Sequence, residues 1–504
     1  MSSREGGRVC PFLLLAMRLS FLYIIVCCCQ ISQAQNKYDH QWVFNQYNNF
    51  IFNGDSLAIN LLSNTTSNYD PGDFSSNICD KNGDLLFYTG GCYVLNKENA
   101  IMMNGDSITS DYALQYWCGY NDFPMWQNNT ILPYPSDTNR YLIVNYNIEH
   151  PLGASGLPIP THLYYHVVDM TQDNGLGAIV LKKQVIVDDT LTRGYLQATR
   201  HANGVDWWVV APEWNSNCYF IVPLTGQGVG MYHRSCAGQV WGNGGGGQVT
   251  FSPSGKKYVQ CNYLNGLWVF DFDNESGTLS NAIQLTFPTP PSNYRGVCFS
   301  PNSRYLYVAS YLQLFQFDMA ATDIQGSMEL VGEMDVSNPI SGGGSLAFSK
   351  LGPDGRIYIA GPGSHTYLSV INKPNCPGTA CDFRQWEIAL LAPNYGGLPN
   401  MPHFNIIESD YDCESVSIQG PELQNEVLAF PNPFVDRFTV RHNVTKPVNY
   451  AIFNSIGKVI EEGVLKNDGS TICLDEQIPG GIYYLRLWTD DKQWSRKMVK
   501  INMR

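Results

Sequence analysis

A chain of 504 residues with 15% charged and 13% aromatic residues, 46 Gly and 28 Pro is poorly suited to a helical bundle or coiled coil, which draw on Glu, Lys, Ala and Leu. Its aromatic and β-branched content argues against disorder, and a net charge of −13 argues against a nucleic-acid-binding face. What remains is a large all-β protein. The charge divides unevenly: residues 425–504 hold 11 Lys and Arg against 9 Asp and Glu, whereas 1–424 hold 20 against 35. An acidic body of −15 and a near-neutral tail of +2 suggest two units with different tasks.

Residues 19–29 (LSFLYIIVCCC) form an uncharged apolar run behind Arg18. Eleven residues are too few to cross ~30 Å of hydrocarbon as a helix. Small residues at Ser32 and Ala34 then fit a signal-peptidase site, so cleavage is expected between Ala34 and Gln35. No transmembrane span is expected elsewhere. Export suits the cysteines: four of the 15 leave with the signal and an odd number remains. Cys376 and Cys381, in CPGTAC, are the local disulfide candidate, because the Pro-Gly turn can bring them together. Cys261 and Cys298 lie in apolar strand patterns and read as small buried hydrophobes.

The body repeats itself. VTFSPSGKKYVQCNYLNGLWVFDFD (249–273), VCFSPNSRYLYVASYLQLFQFDM (297–319) and LAFSKLGPDGRIYIAGPGSHTYLSVIN (346–372) share an apolar strand, a turn, an alternating strand, a loop and a third strand. Looser copies start at 78, 132 and 198. Turn positions Gly83, Asn139, Gly204, Gly255, Ser303 and Gly355 recur at intervals of 48 to 65 residues. That period suits one four-stranded sheet per repeat, as in β-propeller blades. Alternation of Tyr305 and Tyr307 with Leu306 and Val308 would bury both faces of a blade. Six copies are visible. Three strands within 41–62 and one at 398–407 would form a seventh, composite blade, so seven blades are expected, with six as the alternative. The phrases DKNGDLLFYTGG, RHANGVDWWVVAPEWNSNCYFI and GGLPNMPHF resemble exported propellers of Bacteroidetes-type bacteria with a WD40-like fold. The resemblance implies fold and export, and no chemistry.

After a polar stretch, LAFPNPFVDRFTVRHNV, AIFNSIGKVIEEG, STICLDEQIPGGIYYLRLWTDD and SRKMVKI read as short strands of a small Ig-like β-sandwich. This segment closely resembles the type A C-terminal sorting domain of the type IX secretion system. The resemblance is carried by Pro431, Asn432, Pro433, Gly457, Lys458, Gly480, Gly481, Tyr483 and Lys497. It implies recognition by the type IX secretion machinery, passage across the outer membrane, and release or attachment to surface lipopolysaccharide. The expected organisation is a signal peptide at 1–34, a propeller at 35–410, a linker at 411–426 and a sorting domain at 427–504.

Candidate chemistry is sparse. His201, Glu213 and His233 fall near strand ends and could form an acid/base group, although a hydrogen-bonded structural role is the leading expectation for a lone histidine beside a turn such as His201, and Glu213 could cap a loop equally well. Asp70, Asp73, Asp169, Asp173 and Asn174 could offer oxygen ligands to Ca²⁺, but neither loop has the spacing of a known calcium site and Asx turns account for them. No cofactor or metal is expected. Trp117, Trp126, Trp214 and Trp241 offer aromatic platforms for stacking on a sugar or a peptide, against an alternative of packing between blades. The expectation is an exported, monomeric propeller that binds an extracellular glycan, protein or matrix. A channel hydrolase or lyase acting on a polysaccharide or lactone is the alternative.

Overall fold

The computed structural model describes residues 36–405 apart from 46, 55, 63–73, 119–122, 150–158, 242–245, 263–264, 288–294 and 336–344; Cys413; and 427–500 apart from short gaps. The expected signal cleavage at Ala34 and Gln35, the Asp70 and Asp73 loop, most of the linker, and Pro431, Asn432, Pro433 and Gly457 lie outside the described residues. The chain divides into two compact units, 1–413 and 414–504.

In the first unit, seven antiparallel sheets follow one another among the described residues, over 41–61, 76–96, 129–188, 197–236, 247–285, 295–333 and 349–394. The first two sheets have three strands, the fourth has five and the others four. Nearly all connections are between consecutive strands, the all-local pattern that short turns favour. In the fourth sheet, Cys218–Thr225 pairs with both Gly228–Val229 and His233–Cys236.

The recurring turn explains the repeat. Gly83, Gly204, Gly255, Ser303 and Gly355 each donate a backbone N–H to the carbonyl three residues earlier. Gly255 sits at φ +71°, where a side chain is disfavoured, and Ser303 holds the equivalent place at φ +62°. The next strand can then return antiparallel. At Gly296 a Cβ would run into the carbonyl oxygen of Ala347 in the neighbouring sheet, so glycine permits the close approach of two inner strands.

Each sheet packs on the next. Ser76 Oγ donates to the Asn129 carbonyl at 2.9 Å, and Leu196 N to the Gln127 carbonyl at 3.1 Å. Tyr219 meets Tyr258 and Phe270 edge to face. Val297 N donates to Gln248 Oε1, and Tyr307 Oη to the Pro374 carbonyl. Leu306 and Val308 join the core shared with the fifth sheet, while Tyr305 and Tyr307 join the core shared with the seventh. The circuit closes where Trp42, Phe50 and Phe52 of the first sheet surround Tyr358 of the seventh. The unit is a closed, β-propeller-like ring.

Closure differs from the expected composite blade. Residues 41–61 form a sheet of their own, and its first strand runs opposite to that of the second sheet: Cys79 N meets the Tyr38 carbonyl and Ser75 Oγ meets the Val43 carbonyl. The described part of 398–407 is not a strand of any sheet. It leaves the outer strand of the seventh sheet at Asn394 and runs inward, because the axis offers it more partners than a sheet edge does.

The cysteines also depart from expectation. Cys376 is bonded to Cys413, not to Cys381. Cys381 ends a 3-10 turn over Gly378–Cys381 and is a buried free thiol in the core with Tyr307. Cys92–Cys118 and Cys218–Cys236 are the other disulfides, and Cys261 and Cys298 are buried thiols.

In the second unit, Val427–Phe430, Arg437–His442 and Ser470–Cys473 form one sheet. Val459–Leu465, Val448–Asn454, Gly481–Trp488 and Gln493–Lys500 form another, in that order. Phe438, Val440, Ile452, Leu485, Leu487 and Trp494 fill the space between them, making a small two-sheet sandwich.

Candidate functional site at the mouth of the ring

The first strands of the second to seventh sheets all start on one face of the ring, the upper face, and the repeated turns lie on the lower face. Residues 398–405 thread the axis between the two. Near the top, Asn400 is buried and reads three sheets at once. Its backbone N–H donates to the Ser75 carbonyl at 2.8 Å, and its side-chain amide donates to the carbonyls of Asn129 at 2.8 Å and Leu196 at 3.0 Å. Gln127 and Gln197 both donate to its Oδ1. Further down, Lys350 Nζ donates to the Met401 carbonyl, Arg200 Nε donates to the Phe404 carbonyl, and the Phe404 ring packs against Tyr38 and Trp207. The channel is therefore filled by the chain itself. A remnant of about 30 Å³ beside Gln248, Thr250, Cys298, Lys350 and His403 has room for about a water or two.

Electrostatics inside the channel follow burial. Desolvation lowers Lys350 to about 8, partly opposed by Asp39, and raises the carboxyl of Asp39, partly opposed by Lys350. Desolvation and the positive charge of Lys350 together take His403 down to about 3.

On the upper face the channel opens into a cavity of about 160 Å³ lined by the rings of Phe74, Trp126, Phe348 and Tyr395, by Ala347 and Pro362, and by Gly246, Gly247, Gly363 and Gly396. Phe74 lies edge-on to Trp126 and Phe348, at 6.0 and 5.4 Å between centroids. Trp126 is fixed from outside by Arg193, whose guanidinium lies 5.2 Å from the ring centre and donates to the Pro124 carbonyl. Tyr395 is 42% exposed at the rim. Leu398, three residues further on at the start of the axial segment, lines the remnant cavity below, which shares Phe74 and Phe348 with the cup.

The four tryptophans singled out in the sequence separate here. Trp126 is a wall of the cup. Trp241 is only 1% exposed and belongs to the interior, so it offers no platform. Trp117 and Trp214 are half-buried and line neither the cup nor the remnant cavity below it. Phe74, Phe348 and Tyr395 were not legible as partners of Trp126, because each comes from a different sheet or from the crossing into the channel.

Among the described residues no hydrogen bond or ion pair joins His201, Glu213 and His233 to one another. His201 stacks on Trp208 at 5.4 Å near the lower end of Trp207–Pro212, and His233, whose backbone is in register with Ile221, meets the same indole edge-on at 5.9 Å. Glu213 follows the upper end of that strand, ~17 Å from Trp208 at the usual rise per residue, and is ion-paired with Arg234, the residue after His233. His233 Nε2 is held by the Gly277 carbonyl, and His201 Nδ1 accepts from Asn203 N. Asp169 accepts from the backbone and hydroxyl of Thr171, an Asx turn. Among the described residues no group of three or more His, Cys, Asp or Glu is placed to hold a metal ion.

In the second unit, Tyr483 is buried and its hydroxyl donates to the Pro479 carbonyl at 2.6 Å. Gly481 pairs with Lys500 and Tyr484 with Lys497 across the sheet. Gly480 and Lys458 lie exposed in turns at strand ends.

No curated protein matches the chain. Among solved structures, a functionally unknown protein from Desulfotomaculum acetoxidans is 14% identical, with 72% of this chain and 99% of that one covered and a TM-score of 0.40. The Dos1 propeller is 10% identical over 64% of this chain and 90% of its own, at 0.36. A gluconolactonase from Xanthomonas campestris is 11% identical over 65% and 93%, at 0.29. At these scores the likenesses carry nothing about activity. Residues 428–502 match the family described as the secretion system C-terminal sorting domain, so the chain carries such a domain behind its ring of sheets.

Proposed function

We propose that the protein is an exported binding module: a seven-bladed propeller that presents its upper face to an extracellular partner, delivered by an Ig-like type IX sorting domain to the cell surface or the medium. The sorting-domain match supports the delivery. The phrases shared with exported WD40-like propellers of Bacteroidetes-type bacteria support the same setting. One observation carries the binding role: an aromatic cup opens at the axis directly above a channel that the chain has filled with its own residues. A hydrolase working through the channel would need that space for its substrate. The strand-end histidines are engaged in packing on Trp208, which favours the binding reading over an acid/base one.

The test is a panel of peptides and oligosaccharides offered to the mature full chain and to Trp126→Ala. At least one panel member is expected to bind the native protein and to lose about tenfold or more in affinity with Trp126→Ala, the range for an aromatic anchor worth about 1.4 kcal/mol or more. Turnover of a polysaccharide or lactone, unaffected by Trp126→Ala, would overturn the proposal.

A further inference from the structure

We infer that the cup receives a single aromatic side chain projecting from a basic polypeptide segment, an inference that rests on the cup being the binding site. Size is the first ground. The cavity of about 160 Å³ is close to the ~150 Å³ of an apolar hole that accommodates one benzene ring, so it takes one ring and not a chain of them. Lining is the second. Among the described residues, the side chains facing it are Phe74, Trp126, Phe348, Tyr395, Ala347 and Pro362, with no carboxylate, ammonium, guanidinium or carboxamide and only the Trp126 indole N–H and the Tyr395 hydroxyl as polar groups. A pyranose would bury several hydroxyls there with few side-chain partners, at a cost for each unpaired group. An aryl ring has no such demand. The walls already cross at 66° and 68°, the edge-to-face geometry that a further ring can extend.

Charge supplies the third ground and sets the class of partner. Without the expected signal peptide, residues 35–424 carry 17 Lys and Arg against 34 Asp and Glu. A cationic segment is drawn to such a body and an anionic one repelled, chiefly through the rate of encounter and at low salt.

The experiment titrates the mature full chain with p-cresol, with the blocked tripeptides Lys-Phe-Lys, Glu-Phe-Glu and Lys-Leu-Lys, and with methyl β-glucopyranoside, following Trp fluorescence and competition. Cresol is expected to saturate and to compete with Lys-Phe-Lys. Lys-Phe-Lys is expected to bind about tenfold tighter than Glu-Phe-Glu at low ionic strength, with the gap closing as the Debye length falls to ~3 Å near 1 M salt. Lys-Leu-Lys is expected to bind more weakly than Lys-Phe-Lys. Tyr395→Ala, at an exposed position, and Trp126→Ala are expected to weaken cresol and Lys-Phe-Lys alike. Saturation by the glucoside but not by cresol, or equal affinity for Lys-Phe-Lys and Lys-Leu-Lys or Glu-Phe-Glu, overturns this inference and leaves the cup as a binding site. Binding that neither Tyr395→Ala nor Trp126→Ala alters overturns the cup itself.

Discussion

The side-chain amide of Asn400 donates at 2.8 Å to the backbone carbonyl of Asn129, a residue 271 positions earlier in the chain. Through this and its neighbouring bonds, a segment that belongs to no sheet fastens the inner strands of the second, third and fourth sheets. Ring closure thus depends on an axial strap as well as on the contact between the first and seventh sheets.

Asn400→Ala should be among the costly polar substitutions in the ring. It removes the buried partner of the Leu196 carbonyl and of the Gln197 amide, while the Asn129 carbonyl keeps Ser76 Oγ and the Gln127 amide keeps the Val249 carbonyl. Each such loss is worth about 1–3 kcal/mol, so a total of roughly 3 kcal/mol is expected from the urea midpoint of the ring's unfolding transition. A change under about 0.5 kcal/mol would mean that the strap is not held as described.

Cys376→Ser or Cys413→Ser should destabilise the ring by about 3–4 kcal/mol, the entropy scale for closing a loop of this length, since the bridge spans 37 residues. Cys381→Ser should leave every disulfide intact. Peptide mapping without reduction checks both: a Cys376–Cys413 linked pair is expected, and a Cys376–Cys381 pair would restore the pairing read from the sequence.

The ring should lose stability as pH falls below about 6.5. His166 is fully buried, donates from Nε2 to Asn145 Oδ1 at 2.9 Å, and accepts the Lys183 N–H at Nδ1, which fixes it as a neutral ring. Burial, and after it the positive charges of Lys182 and Lys183, lower it to about 3. The unfolded chain therefore binds the proton first. The contribution is complete above the ordinary value near 6.5 and is lost toward 3, at about 1.4 kcal/mol per pH unit. His166→Gln should flatten the acid limb of stability measured by denaturant titration; an unchanged slope would assign that limb to other groups.

Trp241→Ala and Tyr395→Ala should behave oppositely. Trp241 is buried, and truncating a buried Trp costs about 3–5 kcal/mol. Tyr395 is 42% exposed, so its loss should cost under about 1 kcal/mol while weakening ligand binding. Thermal melts paired with titrations separate the two.

What the sequence revealed is what local physics controls. The turn at Gly255 needs positive φ and the alternation of Tyr305 to Val308 needs two buried faces, and both are written in neighbouring residues. The axial strap LPNMPHFNII looks extended and apolar, so its sequence alone suggests a strand. Its actual partners, Asn129 and Leu196, are more than 200 residues away, and no periodicity announces them. Cys376 was assigned to its nearest cysteine for the same reason. Trp126 was visible as an aromatic residue in a loop, but the cup needs Phe74, Phe348 and Tyr395 brought to the axis by three other segments. Trp241, equally aromatic in sequence, differs only in where the ring folds over it.

The most direct test of a working upper face is an amide hydrogen-exchange footprint of the mature full chain with a bound panel member. Slowed exchange is predicted at Gly246–Gln248, Ala347–Phe348 and Tyr395–Gly396, around the cup. Slowed exchange confined to the lower-face turns at 252–255, 300–303 and 352–355 would contradict it.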